Sequence, residues 1–350
     1  MPSTLSNQFN SAFTLFLSLL VEAFPFLLLG VLFSGALLFF VDEQKLLARM
    51  PKNPLLGALA GSLVGFLFPV CECGNVPVAR RLIMQGVPAP VTIGFLLAAP
   101  TINPIVIWST WTAFRDQPEI VLLRVVFSLI IATIVGWVFS VQTDIRPLLQ
   151  PALANLIPPS QSKTANLSLP VEETSILLQS GTYLMGRPGE LQRLDTPTGQ
   201  INYSFNNPYS PTLINPQKLR LFLDNTIQEL RELGAVLILG SAIAAAIQVL
   251  VPREIILSLG AGSVTSILAM MILACIVSIC STVDSFFALS FSSAFTGSSL
   301  VAFLVFGPMV DIKGIGLMLS IFKPRPIIYM FTLAAQLTFL LTLIANFYLN

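Results

Sequence analysis

The chain has 350 residues, of which 55% are hydrophobic and only 10% charged, with a net charge of +1 and a mean hydropathy of +0.83. Soluble domains carry roughly 25% charged residues, so much of this surface is solvated by lipid, and the near-neutral balance excludes a nucleic-acid partner. There is no histidine, which removes His-based triads, haem ligation by His and every His-containing zinc or copper site.

A membrane-spanning helix needs about 20 mostly apolar residues. Eight segments qualify, at 12–40, 54–71, 91–114, 120–141, 229–251, 264–282, 299–320 and 326–348. The first lacks a basic leader and an Ala-x-Ala-like end, so it reads as a span rather than a cleaved signal, and it is long enough to tilt or to kink at Pro25. Residues 142–222 differ in kind: ten prolines among many Ser, Thr, Asn and Gln make a polar extramembrane loop or small subdomain, with Ile176–Met185 and Ile201–Phe205 as candidate short strands. The expected division is a first membrane repeat at 1–141, the loop at 142–222 and a second membrane repeat at 223–350.

The halves are collinear. Glu22 and Gly30 correspond to Glu232 and Gly240, Cys71 and Asn75 to Cys280 and Asp284, and Pro100 and Asn103 to Pro308 and Asp311, with offsets of 210, 209 and 208. Internal duplication is common in secondary transporters. Lys and Arg then set the orientation. If 54–86 enters from the cytoplasm and returns, Lys45, Arg49, Lys52, Arg80, Arg81, Arg146, Lys218, Arg220, Lys323 and Arg325 all lie inside. Only Arg115 and Arg253 remain outside. The expected fold is thus all-α and integral to the cell membrane. It has two repeated, inverted halves, each with three full spans plus a re-entrant hairpin or broken helix, and the long loop is cytoplasmic. Eight plain spans are the alternative.

The chemistry-bearing residues cluster at breaks. In Phe68-Pro69-Val70-Cys71-Glu72-Cys73-Gly74-Asn75-Val76-Pro77, an apolar helix runs into two thiols, a carboxylate and an amide flanked by prolines. Pro100 to Pro104, around Asn103, is a second break, and Cys280–Asp284 and Pro308–Asp311 are the counterparts. Discontinuous helices at matching points of two repeats are the best sequence pointer to a transport site near the midplane. The substrate-pathway candidates are therefore Glu22, Cys71, Glu72, Cys73, Asn75, Asn103, Cys280, Asp284, Asp311 and Lys313. Thiols at Cys71 and Cys73 favour soft metal or metalloid species. Asp311 and Lys313 either line the pathway or neutralise each other, although two residues apart on a regular helix they point about 200° away from one another. Arg80 and Arg81 read as topology anchors and Cys275 as an apolar filler. Nothing calls for a bound cofactor, and no Gly-x4-Gly-Lys-Ser/Thr phosphate loop occurs.

Pro69-Val70-Cys-Glu-Cys-Gly74, Val76-Pro77, Arg80-Arg81-Leu82, Gly86-Val87-Pro88, Phe95 to Pro100 and Ile102-Asn103-Pro104 resemble the predicted permease family that includes the ArsP-type organoarsenical exporters. Ser278 to Ser281, Asp284 and Ala302 to Lys313 are most similar to its uncharacterised bacterial branch. The resemblance covers both membrane halves. It implies a permease without enzymatic activity, acting on a small solute or ion, with a second small membrane protein as partner. It also carries thiol chemistry over to Cys71 and Cys73 and, more weakly, to Cys280. The acidic Glu72 between the thiols departs from the small residue of many relatives and favours a cation over a neutral arsenical. Two other activities compete: a membrane thiol-redox enzyme using Cys71 and Cys73, and a non-transporting subunit of a two-component complex.

Overall fold

The computed structural model describes residues 2–40, 51, 53–68, 71–141, 145–154, 183–185, 191–193, 216–250, 262–292 and 295–349. Two compact units make up the chain, one of residues 1–158 with 217–350 and one of 159–216.

The first unit is helical. Its first half runs α1 (Pro2–Phe40), α2 (Pro54–Leu67), α3 (Glu72–Met84), α4 (Ala89–Ile102), α5 (Pro104–Ala113) and α6 (Pro118–Val138), followed by a single turn, α7 (Pro151–Ala154). Its second half runs α8 (Pro216–Leu250), α9 (Ser263–Val277), α10 (Asp284–Leu289), α11 (Gly297–Met309), α12 (Ile312–Met318) and α13 (Pro324–Leu349). The same order of elements occurs twice: a long helix, a shorter apolar helix, a break, a short helix, a helix pair jointed at Asn103 or Asp311, and a terminal helix.

Six stretches among the described residues are long and apolar enough to cross a membrane: Asn10–Gly35, Ala89–Ala113, Pro118–Val141, Thr226–Val249, Gly297–Met318 and Pro324–Tyr348. The segments expected at 54–71 and 264–282 are shorter than the sequence implies. α2 and α9 end at Leu67 and Val277, and the 14 residues of α2 reach only about 21 Å, short of a hydrocarbon core of roughly 30 Å. α2 stops where Phe68 turns extended, and α9 where Ser278 takes a left-handed conformation with φ 47°. α1, by contrast, continues through Pro25.

Small residues bring the helices together. Without a hydrophobic drive between helices in lipid, close packing supplies much of the association. α2 presents Gly57, Ala58, Gly61, Ser62 and Gly65 on one buried face, one glycine per turn, against α4. A Cβ built on Gly61 would lie 2.0 Å from the Val91 carbonyl oxygen, so the two backbones touch. α4 is buried along its whole length. Gly30 does the same between α1 and α3, since its Cβ would lie 2.2 Å from the Gly74 carbonyl oxygen. Residues 145–154 dock on the turn before α13: the Lys323 N–H donates to Leu148 O at 2.8 Å, the Gln150 N–H to Ile321 O at 2.9 Å, and Leu149 bridges Phe322.

The second unit contains a short antiparallel pair, β1 (Tyr183–Met185) and β2 (Leu191–Arg193), with Leu184 opposite Gln192. The end of the expected strand at Ile176–Met185 is β1. The expected strand at Ile201–Phe205 lies outside the described residues.

Candidate functional site

Two helix breaks supply the site, one from each half. Cys71, in extended conformation, caps the start of α3, which carries Glu72, Cys73 and Asn75 inward, all buried. In the second half, residues 278–283 form the turn between α9 and α10. These turns meet: the Cys71 and Cys280 thiols lie close enough to interact, and the Thr282 hydroxyl donates to Cys280 Sγ at 3.7 Å. Cys71 Sγ, a Glu72 carboxylate oxygen and Cys73 Sγ lie within 4.8 Å of one another. The four cysteines are free. Cys71, Glu72 and Cys73 are the residues here that could hold a soft cation.

Around the thiols stand four ionisable side chains from three helices. Lys313 of α12, 1% exposed, reaches Glu72 of α3 with Nζ 4.0 Å from Oε1. Glu22 of α1 lies in the field of Lys313 and within hydrogen-bond reach of Cys280. Asp311 interacts with Lys313 and Glu72 through charge. Three carboxyl groups against one ammonium leave an excess of acceptors. Glu22 Oε1, Glu72 Oε2 and Asp311 Oδ2 are buried with no hydrogen-bond partner. Buried acceptors without donors are destabilising unless something satisfies them, and here the deficit is of protons or cations.

The joints at Asn103 and Asp311 share one geometry. The Val106 N–H donates to Asn103 Oδ1 at 2.8 Å and caps α5; the Gly314 N–H donates to Asp311 Oδ1 at 2.8 Å and caps α12. Asn75 donates from Nδ2 to Leu96 O of α4 at 2.7 Å, which ties the first turn to that helix. The Ser278 hydroxyl accepts the Ile312 N–H at 2.9 Å, tying the second turn to α12.

Asp284 belongs to a different constellation. Arg124 of α6, fully buried, grips it with both nitrogens, Nη2 to Oδ2 at 2.7 Å and Nη1 to Oδ1 at 3.1 Å. Arg124 also donates to Thr110 Oγ1 at 2.8 Å, Ser285 Oγ at 2.9 Å and Ser281 O at 3.4 Å. Sequence reasoning misses Arg124, although a lone guanidinium six residues into an apolar run is the signal that finds it. Arg80 is more than an anchor: Nη1 lies 3.0 Å from Glu232 Oε2 of α8. Nearby, the Ser34 hydroxyl donates to Glu229 Oε2 at 3.2 Å.

Six stretches among the described residues that are long and apolar enough to cross a membrane, with broken helices between them, define a multi-pass membrane protein. The chain belongs to the ArsP_1 family, described as a predicted permease, whose model matches residues 8–347. It is 37% identical over 329 residues to the UPF0718 protein YcgR of Bacillus subtilis (strain 168), covering 94% of this chain and 95% of that one. It is also 33% identical over 311 residues to a putative two-component membrane permease complex subunit of Streptococcus mutans, covering 89% and 87%. No solved structure matches it.

Proposed function

We propose that this chain is a secondary permease of the cell membrane. Its two halves are inverted, and its cargo, a thiophilic metal or metalloid species, binds where the two turns meet. The observation that carries this reading is the meeting of Cys71 and Cys73 from one half with Cys280 from the other, ringed by Glu22, Glu72, Asp311 and Lys313. Soft thiol donors beside carboxylates suit a soft cation.

Contacts across the chain support six crossings. With three crossings before residues 145–154 and five before 319–323, both segments lie on one face, in keeping with the hydrogen bonds between Lys323 and Leu148 and between Gln150 and Ile321. With eight crossings they would be on opposite faces. The same count sets Ser34, after one crossing, beside Glu229, after three, in keeping with their hydrogen bond; eight crossings would separate them. α2 with α3, and α9 with α10, are then re-entrant hairpins entering from opposite faces. Three crossings per half make the halves antiparallel, and the Lys and Arg count assigns the face of Arg80, Arg146 and Lys323 to the cytoplasm.

A thiol-redox activity has less support, because Cys71 and Cys73 are 3% and 0% exposed, closed to a thiol or disulfide from another molecule. A two-component assembly has a specific observation behind it, the likeness to the Streptococcus mutans protein described as a subunit of such a complex, and is compatible with a permease that works alongside a second membrane subunit. Full-length protein in liposomes tests the reading, with flux of a trivalent methylarsenical, arsenite, copper(I) and zinc measured with and without that second subunit. Flux of at least one should be abolished in the Cys71→Ser/Cys73→Ser protein. Equal flux in wild type and double variant would leave the thiols as packing residues and the cargo a hard or organic solute.

A further inference from the structure

Asn103 and Asp311 do the same structural work in the two halves, and the comparison isolates what Asp311 has in excess. Each closes a helix joint by accepting one N–H from three residues ahead. That work takes one oxygen and no charge, since Asn and Asp are about equal as N-caps. Asp311 brings a second oxygen and a negative charge, and both are buried: the residue is 3% exposed and Oδ2 accepts no hydrogen bond. An ionised carboxylate taken out of water without close pairing is strongly unfavourable. Lys313 does not remove the difficulty: it acts on Asp311 but equally on Glu72, its ion-pair partner at 4.0 Å, and on Glu22, so one ammonium cannot offset all three carboxyl groups.

The ionisable groups that face Asp311 are Lys313 on its own helix, Glu72 from α3 and Cys275 from α9. Glu22 from α1, with Cys73 and Cys280, reaches the same Lys313. α8 meets α12 with Gly240 against Lys313 and Val236 against Gly316. The surroundings therefore hold one cation for three carboxyl groups.

We propose that Asp311 Oδ2 carries an exchangeable proton, the coupling ion of the transport cycle. In the closed form the proton on Oδ2 turns an orphan acceptor into a donor and lowers the negative excess around Lys313. When the cavity opens to water the O–H bond breaks, the proton leaves to solvent, and the carboxylate is left free to attract a cationic cargo. No other bond changes and no electrons move. Asn103 has no such proton to give, so the duplicated scaffold exchanges protons at one joint only.

The proposal rests on the permease reading above, and two measurements on full-length protein in lipid separate the two. Infrared difference spectroscopy across a pH titration should show a protonated-carboxyl stretch in wild type, with one component lost in Asp311→Asn and retained in Asp311→Glu. In liposomes loaded with trivalent methylarsenical as probe, an imposed pH gradient should accelerate wild-type flux, and Asp311→Asn should lose that acceleration while folding normally. If the infrared component is lost but neither protein moves the probe, the cargo assignment falls and the proton site stands. Identical infrared titrations in wild type and Asp311→Asn would overturn the proposal. So would a carboxylate ionised at every pH in wild type, or an Asp311→Asn protein that fails to fold, which would make the charge a requirement of the joint.

Discussion

The Arg124–Asp284 pair offers the sharpest test of the packing described above. Both side chains are buried, 0% and 4% exposed, and the guanidinium directs Nη1 and Nη2 at five oxygens on α5, α10 and the turn before it. Asp284→Asn keeps the size of the side chain and removes the charge, which leaves Arg124 ionised in a dry site. Breaking a buried pair from one side costs about 3–5 kcal/mol. At roughly 2–4 °C per kcal/mol for a large chain, the melting temperature in detergent should fall by about 10 °C. Arg124→Met should cost a similar amount by stranding Asp284. The double variant Arg124→Met/Asp284→Leu should recover most of the loss, because replacing both charges with apolar groups is often neutral. A cycle read by thermal unfolding and by size-exclusion profile measures the coupling. If Asp284→Asn alone shifts stability by less than about 1 kcal/mol, the site is wet and the argument from a buried pair is wrong.

Other consequences follow from the same contacts. Gly61→Leu should abolish or severely reduce folded protein, since its Cβ alone would sit 2.0 Å from Val91 O. Gly234→Ala, with nothing within 4 Å of the added Cβ, should raise stability by about 1 kcal/mol through helix propensity; equal melting temperatures for the two variants would contradict the α2–α4 contact. Ser278→Ala should destabilise by about 1 kcal/mol, because the Ile312 N–H loses its acceptor in a partly buried position. Chemical labelling of single cysteines on a cysteine-free background should find residues near 45–52, 80–86, 146–150 and 323–325 reacting from the cytoplasmic side. Labelling of 80–86 from the opposite side would restore eight spans.

Much of the architecture is legible in the residues because lipid imposes strict demands. Apolar runs long enough to span stand out against a polar, proline-rich loop, and every candidate turn is marked by Pro, Gly or a polar pair inside such a run. The match of Asn103 with Asp311 follows from collinear spacing, and both residues turn out to be caps with the same i+3 acceptor geometry. Partnerships are another matter. Arg124 and Asp284 lie 160 residues apart, and no local pattern in an apolar helix announces which distant carboxylate a guanidinium will meet. Lys313 likewise meets Glu72 of a distant helix as well as the neighbouring Asp311, and local spacing shows only the second. The ends of α2 and α9 were hidden for a different reason: hydropathy continues past Leu67 and Val277, while the backbone turns at Phe68 and Ser278.

The two ion pairs between the halves differ in how easily they part. Arg80–Glu232 joins α3 to α8, and Arg124–Asp284 joins α6 to α10. The first is 23% and 47% exposed with one contact at 3.0 Å, and exposed pairs contribute about 0–1 kcal/mol. The second is sealed, two-pronged and supported by Thr110 and Ser285. Water therefore separates the first pair with little work, whereas parting the second breaks two short charge-assisted contacts and leaves two charges uncompensated until water reaches them. That cost is offset only if something else in the cluster changes at the same time. A change of charge at Cys71, Cys73 or Asp311 would alter the field on both turns together, because Cys71 and Cys280 are close neighbours and Ser278 holds the N–H of Ile312. The turn from Ser278 to Asp284 thus links the thiol cluster to the Arg124 pair through six peptide units, and it is through this short connection that an event at the cluster would reach that pair.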